Sequence, residues 1–89
     1  MEQIRDTIIT LFKARDTLQH IGLDDDYFDQ GVSSLTIIGL QVDVEKELGV
    51  NIETRELMSF FTINQWIGAY TSRVQRLHET AAGLVQQYD

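Results

Sequence analysis

The chain reads as an all-α domain built from three longer helices and one short one. Three observations predict this. Apolar residues recur at intervals of three and four through three long segments, which is the spacing of one helix face. Proline is absent, so helices run uninterrupted and turns fall to Gly, Asp, Asn and Ser. No segment alternates apolar and polar residues in the manner of a half-buried strand. The 89 residues are 43% hydrophobic, enough for one small globular domain and too many for a disordered chain. A domain of this size buries roughly 60% of the surface its unfolded chain exposes, so each core side chain counts.

The first helix is expected from Glu2 to about Leu18, on Ile4, Ile8, Leu11, Phe12 and Leu18. Residues 19–33, "QHIGLDDDYFDQGVS", form a long loop with two glycines and four aspartates, and Ile21, Leu23, Tyr27 and Phe28 are its apolar anchors. A loop this long in a compact domain is functional or partly structured. The second helix runs from Ser34 or Leu35 to Leu48, and Gly49 suits the left-handed residue that closes it. "VNI" follows as an extended piece, and "ETRELMSF" as a short third helix. The last helix opens at "TINQW", where Thr62 and Gln65 have the spacing of a capping box. Its apolar face is Ile63, Trp66, Ile67, Tyr70, Val74 and Leu77, and the spacing continues weakly through Ala81, Leu84, Val85 and Tyr88 as a helical extension or a frayed end.

Composition excludes several classes of function. A net charge of −7 opposes binding to a phosphate backbone, so no nucleic-acid partner is expected. The acidity serves solubility or, more sharply, attraction to partners with basic patches. Cysteine is absent, which removes disulfides and zinc–thiolate sites and suits a reducing, cytoplasmic compartment. "MEQIRDTIIT" has no apolar core of a secretory signal, and no apolar run approaches a membrane span. His20 and His78 have no ligand motif around them and read as surface residues. Asp24, Asp25, Asp26 and Asp29 do not keep the alternation of a calcium loop: counting from Asp24 puts Phe28 fifth and Asp29 where the glycine belongs. No metal site is expected. "GVSSL" brushes the nucleophile elbow of hydrolases, but Leu35 stands where the second glycine belongs and no strand precedes it. The chain is not read as an enzyme.

The second helix carries the most information. Ile37, Leu40, Val44 and Leu48 form one apolar stripe along its whole length. Leu35, Ile38, Gly39 and Val42 form another over its first turns, beside Ser33 and Ser34. The pattern alone leaves two readings open. Either the second stripe stays at the surface as a binding face, or the helix is central and buried on both sides. Gly39 costs a helix about 1 kcal/mol relative to alanine, which fits a close approach by another backbone at the outer stripe or tight packing within the bundle.

Gly31-Val32-Ser33-Ser34-Leu35, preceded by Phe28 and followed by this apolar helix, resembles the attachment motif of acyl and peptidyl carrier proteins. The similarity extends to the first helix, the long loop, the "LGVNI" exit and the "FFTINQW" entry, over roughly residues 2–75. It implies a four-helix bundle at residues 1–78, with 79–89 as a C-terminal extension. It also implies that Ser34 bears a 4′-phosphopantetheine arm from coenzyme A, whose thiol holds cargo as a thioester. Gly31, Ser33 and Leu35 complete the motif, and Ser33 stands where the family usually has Asp or His. Leu35, Ile38, Gly39 and Val42 become the face met by partner enzymes. The implied partners are a phosphopantetheinyl transferase, an adenylating or acyltransferase loading enzyme, and downstream synthase or tailoring enzymes, met by a discrete, monomeric carrier. Fatty-acid carriers place acids just after the motif serine and leucine. Here Thr36 and Gly39 occupy that region and acids return only at Asp43, Glu45 and Glu47. A polyketide or nonribosomal-peptide pathway is therefore the expected setting.

Two other classes fit the size and charge. A small acidic inhibitor of a basic enzyme, similar to nuclease immunity proteins, needs acidic and aromatic residues on one face. An adaptor with the carrier fold needs no arm.

Overall fold

The computed structural model describes residues 2–88, and side-chain surroundings for residues 3–77. Four helices follow one another: α1 (Glu2–Lys13), α2 (Ser34–Leu48), α3 (Thr54–Leu57) and α4 (Ile63–Tyr88). No strand occurs among the described residues. The all-α bundle of three long helices and one short one is what the apolar spacing predicts.

The first helix ends earlier than its spacing suggests. After Lys13 the chain leaves the helix, Arg15 takes an extended conformation (φ −88°, ψ 128°), and a single 3₁₀ turn spans Asp16–Leu18. The reason is the burial of Leu18. On a continued helix it would lie roughly 120° around the axis from Phe12, off the core-facing stripe. The break turns it fully inward. The Lys13 ammonium donates to the carbonyl of Ile21 and holds the returning chain against the helix end.

The long loop is structured throughout. Ile21 and Tyr27 are buried, and Leu23 and Phe28 pack partly against the core. Its aspartates close turns: Asp25 accepts the Gly22 N–H (2.8 Å) and Asp26 the Asp29 N–H (3.1 Å). Asp24 accepts the Asn64 side-chain amide at 2.7 Å, which ties the loop to the start of α4. No cluster of potential ligands able to hold a metal ion occurs among the described residues.

Each helix end has a local cause. Gly49 lies in the left-handed region (φ 70°) and its N–H donates to the Glu45 carbonyl at 2.9 Å. α3 is shorter than the segment assigned to it, because the backbone and hydroxyl of Ser59 both bond the Glu56 carbonyl and turn the chain away. The capping box of α4 is complete. Thr62 Oγ1 accepts the Gln65 N–H (3.1 Å), while Gln65 Oε1 accepts the N–H groups of Thr62 (3.1 Å) and Phe61 (2.7 Å). The weak apolar spacing at Ala81, Leu84, Val85 and Tyr88 falls on side chains outside the described residues, as does His78.

α1 packs against both α2 and α4. The core joins Ile8 and Phe12 of α1, Ile37, Leu40 and Val44 of α2, and Trp66 and Tyr70 of α4. Leu48, the last member of the inner stripe of α2, is only half-buried. It sits in the final turn, where it lines an open groove with Gln3 and Ile4 at the start of α1. The Phe12 ring meets Trp66 edge-on at 4.9 Å, a favoured aromatic geometry. Trp66 Nε1 donates to Tyr27 Oη (2.8 Å), which in turn donates to the Phe60 carbonyl (3.0 Å). Loop, α3 exit and α4 are thus locked to one another.

A second polar network, not apparent in the sequence, holds the far end of α2. The Glu45 carboxylate accepts from the Tyr70 hydroxyl (3.0 Å), the Ile52 N–H (2.8 Å) and the Gln41 amide (3.3 Å). Gln41 also donates to the Ile52 carbonyl (2.9 Å) and accepts from the Thr54 hydroxyl (3.1 Å). No described buried side-chain polar atom lacks a partner.

Candidate functional site

The turn before α2 begins at Tyr27. Its N–H donates to the Phe61 carbonyl (3.0 Å), and its carbonyl accepts the N–H groups of Gln30 (3.2 Å) and Val32 (3.1 Å). For the chain to double back within so few residues, Gly31 adopts φ +91°, a conformation that L side chains resist. No atom outside its neighbours lies within 4 Å of where a Cβ would be, so glycine is required by the backbone and not by space. The reversal buries Val32 and leaves Ser33 and Ser34 exposed.

The two serines divide the work. Ser33 is the N-cap, with extended backbone (φ −83°, ψ 156°), and its Oγ accepts the Thr36 N–H at 3.2 Å. The Thr36 hydroxyl stands 3.1 Å from the same oxygen. Ser34 is the first helical residue, and its hydroxyl has no hydrogen-bond partner among the described residues. The N–H groups of Ser34 and Leu35 also lack a protein acceptor there, as expected at a helix start. No acidic residue stands in the first turn. An exposed nucleophilic oxygen, free amides and the positive end of a 15-residue helix suit attachment of a phosphodiester.

The outer stripe of α2 lies beside this serine. At about 100° per residue, Ser34, Leu35, Ile38 and Val42 fall within roughly a 100° arc. Leu35 is 80% exposed, Val42 62% and Ile38 39%, whereas Leu40 and Val44 are fully buried. Of the two readings left open by the pattern, the helix is exposed on its outer stripe.

Gly39 has a cause that the sequence does not reveal. The guanidinium of Arg15, from the segment after α1, lies across it and donates to Asp43 Oδ2 at 3.1 Å. A Cβ at position 39 would stand 2.9 Å from Arg15 Nη2 and 3.5 Å from its Cζ. The close approach is by a side chain and not by another backbone.

Other candidates find structural roles or none. His20 is exposed. No strand precedes Ser34, so the elbow geometry is absent. Phe12, Tyr27, Trp66 and Tyr70 are fully buried and leave no fully outward aromatic cluster, of the kind an inhibitor face would need, among the described residues. Phe61 is the one large aromatic exposed among the described residues. No helix there is long and apolar enough to cross a membrane.

A family model described as phosphopantetheine attachment site matches residues 2–69. No curated protein and no solved structure gives a significant match.

Proposed function

Because the chain belongs to the family of phosphopantetheine attachment domains, we propose that Ser34 is its attachment residue and that it serves as a carrier in polyketide or nonribosomal-peptide biosynthesis. Members of the family hold 4′-phosphopantetheine covalently and are carriers, not enzymes. When attached, the arm supplies the thiol that bears cargo as a thioester.

The observation that carries the assignment is the division between the serines. Ser33 Oγ is engaged in capping, while Ser34 Oγ is free at the first helical position. The chain's own residues then have separable tasks. Gly31 sets the turn, Ser33 holds the helix start, Ser34 offers its oxygen, and the free amides of Ser34 and Leu35 would hold the phosphodiester. Leu35, Ile38 and Val42, with Arg15 lying across Gly39 beside them, make the surface met in turn by the phosphopantetheinyl transferase, a loading enzyme and downstream enzymes. A flexible tether makes each later encounter nearly intramolecular. The apolar character of this surface supports the polyketide or peptide setting over fatty-acid synthesis. The carrier acts as a cytoplasmic monomer.

The test is the mass of the purified chain after incubation with coenzyme A, Mg²⁺ and a broad-specificity phosphopantetheinyl transferase, followed by fragment mapping. One arm on the fragment containing Ser34 is expected. A chain that folds and gains no mass is an adaptor without an arm.

A further inference from the structure

We propose that the outer face of α2 selects partners whose contact patch is apolar with a carboxylate at its rim, and that Arg15, seated on Gly39, sets this choice. The proposal rests on the carrier reading above and names the chemistry of the partner.

The chain as a whole carries −7, which by itself points to basic partners. The charges of α2 are arranged otherwise. It has four charged residues: Asp43, Glu45, Lys46 and Glu47. Asp43 is bound by Arg15. Glu45 turns inward to Tyr70, Ile52 and Gln41. Glu47 lines a groove against α1 with Thr7 and Leu11, on the far side from Val42. Only Lys46 remains exposed and without an ion pair on the outer arc, roughly 20° around the axis from Leu35.

Arg15 supplies the second cation. A guanidinium has five N–H donors, and the bond to Asp43 uses one at 3.1 Å. The side chain remains partly exposed, so its outer donors face solvent at the edge of the apolar stripe. A partner approaching Leu35, Ile38 and Val42 therefore meets Arg15 and Lys46 at the rim, with the partly exposed Asp43 held in the Arg15 ion pair and no unpaired carboxylate of α2 on this arc. A basic patch is repelled there and an acidic one is bonded. Gly39 maintains the arrangement. A Cβ at this position would stand 2.9 Å from Arg15 Nη2, so the guanidinium would have to shift from its place on the helix.

The test is an NMR titration of the ¹⁵N-labelled chain, without its arm, at low salt. The probes are two synthetic helical peptides with the same apolar face, one rimmed with glutamate and the other with lysine. The glutamate-rimmed peptide is expected to bind about two- to fivefold more tightly, the worth of one exposed ion pair, and to shift amide signals between Leu35 and Lys46. At ~1 M salt, where screening extends only about 3 Å, the preference should vanish. Arg15→Gln should abolish or invert it, and Gly39→Ala, which makes the guanidinium shift, should weaken it. Arg15→Gln alters a partly exposed side chain and carries the test even if Gly39→Ala fails to fold. Equal affinity for the two peptides, tighter binding of the lysine-rimmed one, shifts confined to another surface, or a preference unchanged in Arg15→Gln would each overturn the proposal. Loading of Ser34 plays no part in the titration, so a failure here is distinct from a failure of the carrier reading.

Discussion

Ser33 and Ser34 are chemically identical and one bond apart along the chain, yet the helix start gives them different tasks. Only the oxygen of Ser33 is placed to accept from the Thr36 N–H. Replacing Ser33 with alanine removes that cap and should cost about 0.5–2 kcal/mol, read as a lower urea midpoint, while the arm is still transferred. An unloaded Ser33→Ala that remains folded would mean that the cap hydroxyl belongs to the recognition of the site. The motif around these residues was legible because it is local. Gly31, the cap and Gly49 each answer a demand made by their immediate neighbours. Gly39 was legible only as an anomaly. Its explanation, Arg15, lies in a different element, and nothing in the spacing of either segment pairs them. The inward turn of Glu45 was hidden for the same reason: Ile52 and Tyr70 reach it only after the chain has folded.

At the scale of elements, α2 joins a core stripe to an outer one, and substitutions on the two should act differently. Leu40→Ala empties a fully buried site and should cost about 2–5 kcal/mol. Ile38→Asp places a charge on a partly exposed site and should change stability by only ~0.5 kcal/mol, yet slow arm transfer. Urea melts and loading rates of the two variants make the comparison. Equal destabilisation would mean that the outer stripe is packed in solution. Helical periodicity identified both stripes but not which faced solvent, because that depends on where α1 and α4 lie. It also overextended α1, since Leu18 keeps a helix-like interval while reaching the core through a break. In α4, Val74 still packs against the core whereas Leu77 is half exposed. Truncation after Arg76 should therefore preserve both fold and loading. Loss of helical circular dichroism beyond the deleted residues would show that the final segment stabilises the bundle.

For the molecule as a whole, the two buried phenols set a limit at alkaline pH. Burial raises Tyr27 to about 12, with the Trp66 N–H donor opposing the shift and Asp26 adding to it. Tyr70 is raised further by burial and by the Glu45 carboxylate that accepts its hydroxyl proton. The folded chain keeps these protons where the unfolded chain releases them, so the stabilisation is complete below about pH 10 and declines as pH rises above it. The decline is at most about 1.4 kcal/mol per pH unit for each tyrosine. Urea melts between about pH 9 and 11 should show it, and Tyr27→Phe or Tyr70→Phe should flatten the slope; a slope unchanged in both variants would remove the phenols from the account. The family match and the unengaged hydroxyl at the first position of α2 lead to one proposal, that Ser34 is presented for modification. The most direct measurement is the intact mass of Ser34→Ala and Ser33→Ala after incubation with coenzyme A, Mg²⁺ and the transferase, each variant first shown to be folded by circular dichroism. One arm is expected on Ser33→Ala and none on Ser34→Ala; a mass gain that persists in Ser34→Ala and maps to Ser33 would overturn the assignment.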